Sequence, residues 1–199
     1  MKKFELTDEF IIDVFGNKLF RIKALVSFGP VSAGKLGGFV EKEENLSNNG
    51  SSWVSGNAQV SGNARVSGNA RVYGDAQVYG DAQVSGNAQV YGDAQVSGNA
   101  QVYGDAWVYG DAQVSGNAQV YGDADYAVVT GFGRYFRATT FFRCEDKILR
   151  VQCGCFYGDL AQFREIVKKT HGDSKYAKEY LAIADLMELH FSDECGGEQ

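Results

Sequence analysis

The sequence predicts a mainly β protein whose central part is a parallel β-solenoid with a cap at each end. Three observations support this prediction. A six-residue unit repeats twelve times over residues 54–125 without insertion, each unit has valine and alanine at fixed places, and each contains glycine followed by asparagine or aspartate. A short fixed period is typical of solenoids, in which each unit packs only on its neighbours.

The order of residues within one unit predicts a short strand and a corner. Ala-Gln-Val-Tyr, or Ala-Gln-Val-Ser, alternates apolar and polar residues, so alanine and valine face one side. The Gly-Asn or Gly-Asp pair suits a corner, because glycine adopts positive φ freely and asparagine and aspartate tolerate it. A helix is excluded, since a six-residue period does not match a helical period and glycine recurs in every unit.

The unit resembles the hexapeptide-repeat family, in which an aliphatic residue opens each unit and a small residue follows four places later. Valine and alanine hold these places in all twelve units. The resemblance implies a left-handed parallel β-helix with three units per triangular coil. The twelve units over residues 54–125 would then form about four coils.

Stacking of each unit on the unit three places earlier predicts outward-facing columns of like side chains. One column contains the tyrosines Tyr73, Tyr91 and Tyr109. The adjoining corner would carry the aspartates Asp75, Asp93 and Asp111. We expect the tyrosines to lie beside the glutamines Gln59, Gln77, Gln95 and Gln113, and Trp107 replaces a glutamine elsewhere.

These columns allow two interpretations. Tyrosine and glutamine ladders can simply stabilise the face of a sheet. Alternatively, the tyrosine side with Trp107 and the neighbouring aspartates is a docking surface, because tyrosine is enriched at interfaces. Stacked carboxylates repel one another, so the aspartates are expected to be solvated or else neutralised by a cation or a basic partner.

The N-terminal part, residues 1–53, predicts a β-hairpin and a capping segment. Two runs with strand-like alternation, 10–15 and 19–25, flank the turn pair Gly16-Asn17. The open end of a solenoid exposes strand edges, so a cap is required there.

The segment before the repeat is irregular. Val40 and Leu46 are six residues apart, but Leu46 and Val54 are eight apart, which predicts an irregular first turn in which Trp53 closes the core. The segment 29–36, GPVSAGKL, nearly matches a phosphate-binding P-loop, but it ends in leucine where magnesium binding needs serine or threonine. We therefore expect a glycine-rich turn that leads into the cap.

The repeat domain is expected to extend to residue 131, and residues 132–199 predict an α+β cap. Strands over 136–144 and 148–155 would pair around Asp146-Lys147, with Phe142 near Val151. Asp159 with Gln162 predicts a helix start, and the helix would stop at Gly172. A second helix over about 174–191 would bury the stripe Tyr176, Tyr180, Ile183, Met187 and Phe191.

The cysteines raise the question of a metal site. Cys144, Cys153, Cys155 and His171 could supply four zinc ligands, with Cys195 as a substitute, but their spacing is not the paired C-x-x-C of zinc sites. Small apolar packing is the simpler interpretation. Neither a metal nor any other cofactor is expected.

Two segments outside the repeat, FRIKALVSFGPVSAGKLGGFVEKEENLS and FFRCEDKILRVQCGCFYGDLAQFREIVKKTHG, resemble those of hexapeptide-repeat proteins common in bacteriophages and prophages. The resemblance implies a phage origin rather than a mechanism. The N-terminus lacks signal-peptide features and no apolar run is long enough for a bilayer, so we expect no membrane partner and a cytoplasmic location in the bacterial host.

Charge and histidine content limit the function. The chain carries 25 acidic and 19 basic residues, a net charge of -6, so direct DNA binding is not expected. Acyltransferases resemble this chain in their repeat, but they use a histidine in or beside the coils as the general base. The two histidines here, His171 and His190, both follow the repeat. We therefore expect no enzyme activity and no catalytic residue.

The remaining hypothesis is a non-enzymatic, phage-type binding protein. It would act as an inhibitor or sponge on a host defence or regulatory factor, through the β-helix surface or the caps, with a host protein or a small nucleotide as its ligand. The alternative is a structural or scaffold module of a phage. Self-association as a trimer is expected in either case, because the helices of the hexapeptide-repeat family commonly pack side against side.

Overall fold

The computed structural model describes residues 2–122 and 125–192. The described chain is mainly β, with a solenoid of about five turns, an antiparallel sheet after it and two helices near the C-terminal end. The N-terminal strands are β1 (Phe4–Ile12), β2 (Lys18–Ala24) and β3 (Leu36–Val40). The repeat supplies the two-residue strands β4 (Trp53–Val54), β5 (Gln59–Val60), β6 (Arg65–Val66), β7 (Arg71–Val72), β8 (Gln77–Val78), β9 (Gln83–Val84), β10 (Gln89–Val90), β11 (Gln95–Val96), β12 (Gln101–Val102), β13 (Trp107–Val108), β14 (Gln113–Val114) and β15 (Gln119–Val120).

The repeat strands form the three parallel faces that the period predicts. The faces run β3-β5-β8-β11-β14, β4-β7-β10-β13 and β6-β9-β12-β15. Equivalent residues of units three places apart pair throughout, as Val72 pairs with Val90 and Val90 with Val108. Three strands and three repeat units per turn are therefore confirmed.

The solenoid has one more turn than the four predicted. Val40 pairs with Val60, Leu46 bridges to Val66 and Val54 pairs with Val72, so residues before the repeat, together with Val54 at its start, build an additional first turn. Its sequence lacks the six-residue unit, which is why the period does not reveal it. The predicted irregularity of this turn is confirmed, and Trp53 belongs to the core cluster at 5% exposure.

The core is a column of valine and alanine side chains. From Val54 to Val120 the repeat valines and alanines of the described residues are at most 1% exposed. Each coil also satisfies the backbone of the next, as Gln77 donates its N–H to Ala94 at 2.9 Å and Tyr79 donates to Val96 at 3.0 Å. Burial and backbone pairing thus repeat identically in each layer.

The corner glycines stack directly on one another. From Gly56 to Gly116 their φ angles lie between +63° and +73°. A methyl group built at Gly86 would lie 2.9 Å from both the nitrogen and the oxygen of Gly104, one coil away. Glycine is therefore required twice at this corner, for its dihedral angle and for the close approach of the next backbone.

Gly86→Ala should destabilise the protein more than Gly110→Ala. Both alanines would sit at positive φ, which costs about 1–2 kcal/mol, but a methyl group at Gly110 meets nothing within 4 Å. The clash at Gly86 should add about 1–3 kcal/mol of overpacking. Denaturant unfolding of the two variants measures the difference, and equal destabilisation would contradict the stacked corner.

The N-terminal hairpin is confirmed, and it extends a solenoid face. β1 pairs with β2 around the predicted turn, although β1 already begins at Phe4. β2 then pairs antiparallel with β3, so this face becomes a sheet of seven strands. The segment GPVSAGKL leads into the strand β3 rather than a helix, as expected of a glycine-rich turn.

A buried lysine fixes the N-terminal segment to the first turn. The Lys3 ammonium donates to the backbone oxygen of Ser52 at 2.8 Å and lies 4.9 Å from the centre of the Phe28 ring. Burial lowers the pKa of Lys3 to about 8. Phe28 in turn packs edge-on against Trp53, so the outer side of the first turn is covered.

The C-terminal cap begins with an antiparallel sheet of four strands. These are β16 (Tyr126–Val129), β17 (Thr139–Arg143), β18 (Leu149–Cys153) and β19 (Phe156–Asp159). Its second strand closes the end of the solenoid, since the Gln113 N–H donates to Thr140 Oγ1 at 2.9 Å and Ala118 bridges to Cys144.

The predicted register of the C-terminal hairpin is wrong by one residue. Phe142 faces Arg150, and Val151 faces Phe141. The reason is the turn, which is longer than the assumed Asp146-Lys147 pair. Lys147 takes a φ of +60° and donates its N–H to Cys144, which makes a three-residue connection.

The two predicted helices are confirmed as α1 (Leu160–His171) and α2 (Lys175–His190). Asp159 and Gln162 form the predicted capping box, and Gly172 ends α1. The predicted stripe on α2 is buried except at Tyr176, which is 37% exposed. Among the described residues, no helix is both long and apolar enough to cross a membrane.

Candidate docking face and neighbouring cavities

The tyrosine column, Tyr73, Tyr91 and Tyr109, forms on the solenoid wall as predicted. The rings of Tyr73 and Tyr91 are stacked, with centroids 4.8 Å apart and planes 2° from parallel. Tyr91 and Tyr109 follow at 5.4 Å and 14°. The backbone sets this spacing, because Tyr73 donates its N–H to Val90 and Tyr91 donates to Val108, both at 3.0 Å.

The residues beside the tyrosines differ from the prediction. The Tyr73 hydroxyl donates to Gln89 Oε1 at 3.1 Å, and Trp107 meets Tyr91 edge-on at 6.5 Å. Gln89 and Trp107 belong to β10 and β13, the strands that lead into Tyr91 and Tyr109, so each contacts the tyrosine one coil earlier. The glutamines Gln59, Gln77, Gln95 and Gln113 lie on another face, because the Gly-Asp corner separates them from the tyrosines.

Exposure increases along the column toward the C-terminal end. Tyr73 and Tyr91 are half-buried, whereas Tyr109 is 51% and Trp107 45% exposed. Burial and the neighbouring Tyr91 raise the pKa of Tyr73. The wall therefore presents aromatic rings held in a fixed spacing, and two of them, Tyr109 and Trp107, are open to solvent.

The predicted aspartate column lies at exposed corners. Asp75, Asp93 and Asp111 are all exposed. The Asn57 side-chain amide donates to Asp75 Oδ1 at 3.0 Å, one coil away. The same pairing joins Asn63 to Asp81, so an asparagine amide stands beside a carboxylate at these corners.

The four candidate metal ligands do not come together. Cys153, Cys155 and His171 line a cavity of about 190 Å³ between the sheet and the helices, whereas Cys144 is buried near the Tyr157 hydroxyl. Over residues 2–122 and 125–192, no group of three histidine, cysteine or acidic residues could hold a metal ion. Cys195 lies outside the described residues.

The cysteines interact with neighbouring hydroxyl groups. Cys153 accepts a hydrogen bond from Thr139 at 3.2 Å. Burial and the nearby Cys153 raise the pKa of Tyr180 to about 12, and burial raises the pKa of Cys144. Both effects favour neutral groups, as expected of packing residues.

Sequence reasoning missed two cavities beside the first turns. One, of about 410 Å³, has mixed charge from Lys42, Glu44, Arg65 and Asp81. The other, of about 270 Å³, lies between the glycine-rich turn and the start of the tyrosine column. A sequence signal for the second exists, because Ser55 holds the place that tyrosine takes one coil later.

The stacked coils and the outward columns define this chain as a β-solenoid repeat protein. More particularly, the repeat is similar to the YdcK beta-solenoid repeat, whose family model matches residues 58–74, 64–80, 76–92, 82–98, 94–110 and 100–116. No curated protein matches the chain.

Proposed function

We propose that this solenoid is a non-enzymatic binding protein whose docking face is the tyrosine column together with Trp107. The observation that carries this proposal is the rigid stack of Tyr73, Tyr91 and Tyr109, which ends in two large exposed rings. Rigid aromatic side chains provide contact area at low entropic cost, which is why they dominate protein interfaces.

The partner that suits this face is a protein, specifically a host defence or regulatory factor bound by a phage-encoded inhibitor. The face is aromatic at its centre, Arg71 lies beside Tyr73 at one end, and the exposed carboxylates Asp75, Asp93 and Asp111 lie at the adjoining corner. A partner with an apolar centre and a basic rim would complement it, and the rim charges would mainly increase the association rate.

Both histidines lie away from this face, which supports a function without general base catalysis. His171 packs near the ring of Tyr180 at 5.8 Å, and His190 packs against Phe191 at 4.8 Å. A phage scaffold remains the second candidate, and self-association as a trimer through the solenoid sides remains a prediction.

A capture experiment tests the docking face. The variant Tyr73/Tyr91/Tyr109→Ser should lose the partner that wild type captures from host lysate, because the central contact area disappears. Serine occupies the same place in other units, so the fold should persist.

The matched control is Tyr79/Tyr103/Tyr121→Ser, which removes three tyrosines outside the column. It should capture the same partner as wild type. A column variant that captures the wild-type partner with unchanged yield would contradict the docking face.

A further inference from the structure

The tyrosine column stops abruptly at Tyr73. Val54 pairs with Val72, so Ser55, one coil before Tyr73, holds the next place of the column on the N-terminal side. Tyr91 covers one face of the Tyr73 ring at 4.8 Å. The residue on the other side is a serine, which has no ring to cover that face.

A cavity occupies the place of the missing ring. It has a volume of about 270 Å³, and its lining includes Tyr73, Ser55, Trp53, Val31, Lys35 and Arg71. The volume lies just below the ~300–1,000 Å³ of typical ligand pockets. It therefore suits a compact ligand with a single planar ring system rather than a longer ligand with several.

The charge of this cavity is opposite to that of the chain. Its lining contains the cations Lys35 and Arg71 and no carboxylate, although the net charge of the protein is -6. An ammonium and a guanidinium that border the same space attract a phosphate or carboxylate.

The wall that carries Lys35 is fixed by its backbone. Phe28 and Val31 exchange two hydrogen bonds of 2.9 Å. The Gly34 N–H donates to the oxygen of Ala24, whose own N–H donates to the oxygen of Lys35. A ligand would therefore meet a preformed site, which avoids the entropic cost of ordering a loop.

We propose that this cavity binds a free mononucleotide, with its base stacked on Tyr73 as a further ring of the column and its phosphate held by Lys35 and Arg71. Base-on-tyrosine stacking tolerates any base, because every base has a π face. This site does not depend on the docking function proposed above.

Isothermal titration of the full chain with adenosine monophosphate at low ionic strength tests the proposal. Wild type should show saturable one-site binding. Ser55→Tyr should abolish it, because the new ring fills the cavity, and Tyr73→Leu should weaken it by about tenfold or more. Adenosine and inorganic phosphate should each bind more weakly than the nucleotide. Lys35→Gln should reduce the salt dependence of the nucleotide's affinity, because one cation that contacts the phosphate is lost.

The matched control is Ser85→Tyr, which adds the same ring one coil before Tyr103, on another column. It should bind the nucleotide as wild type does. Three results would each overturn the proposal: no heat from any of the four ribonucleoside monophosphates, unchanged binding by Ser55→Tyr, or tighter binding of a single-stranded tetranucleotide than of the mononucleotide. Ser55→Tyr leaves Tyr91, Tyr109 and Trp107 in place, so it should still capture the protein partner from host lysate although it no longer binds the nucleotide. The two measurements therefore distinguish failure of this site from failure of the docking face.

Discussion

Val90→Asp is expected to unfold the solenoid. Val90 is fully buried and pairs with Val72 in the coil before and Val108 in the coil after. A carboxylate at this position would lie among valine and alanine side chains without a cation to pair with. Burial of an unpaired charge costs about 4 kcal/mol or more, a large part of the roughly 5–15 kcal/mol that stabilises a typical protein.

The matched control for Val90→Asp is Asn69→Asp. It adds the same negative charge at an exposed corner, where other units already carry aspartate. Its free energy of unfolding should stay within about 0.5 kcal/mol of wild type. Circular dichroism during urea unfolding measures both variants, and a cooperative transition of Val90→Asp near that of wild type would contradict the buried column.

Val90→Ala provides a graded version of the same experiment. Loss of two buried methyl groups and the small cavity left behind should cost about 1–3 kcal/mol. The protein should then still fold, so the effect on stability can be measured.

The central coils could be predicted because every coil repeats the same arrangement of buried residues and corner residues. A period of six with Val, Ala and Gly at fixed places determines which side chain is buried and where the chain turns. The pairing of Val72 with Val90 follows directly. No single strand of two residues would have been predictable alone, and only the repetition makes the register certain.

The ends could be predicted only in outline, because they are not repeated. The additional first turn uses Val40, Leu46 and Val54 at unequal spacing, so the chain order alone does not show where it closes. The predicted register of the C-terminal hairpin was wrong by one residue because the connection before Ile148 has three residues. The sequence alone did not distinguish this connection from a two-residue turn.

The candidate site was also predictable inside the repeat and not outside it. The tyrosine column was predictable because it lies within the repeat. Its neighbours follow from the same unit but were assigned wrongly, because the Gly-Asp corner puts Gln77 on another face and leaves Gln89, one coil on, beside Tyr73. The cavity at its end needs Lys35 from the glycine-rich turn, and no local pattern brings that turn to the wall.

Interchangeable coils of three repeat units underlie the core, the tyrosine column and the cavity at its end. Deletion of one whole coil, residues 78–95, joins Gln77 to Val96. Every remaining valine and alanine then keeps its place in the six-residue period. Tyr109 then takes the place of Tyr91 above Tyr73. Deletion of half a coil, residues 78–86, joins Gln77 to Asn87 and puts an asparagine where the core needs valine.

Thermal unfolding of these two deletion variants, followed by circular dichroism, is the most direct test. The whole-coil deletion should unfold cooperatively, at a somewhat lower temperature than wild type because one layer of burial is lost. The half-coil deletion should show no cooperative transition. A whole-coil variant that fails to fold, or a half-coil variant that unfolds like it, would contradict the stacked-coil structure.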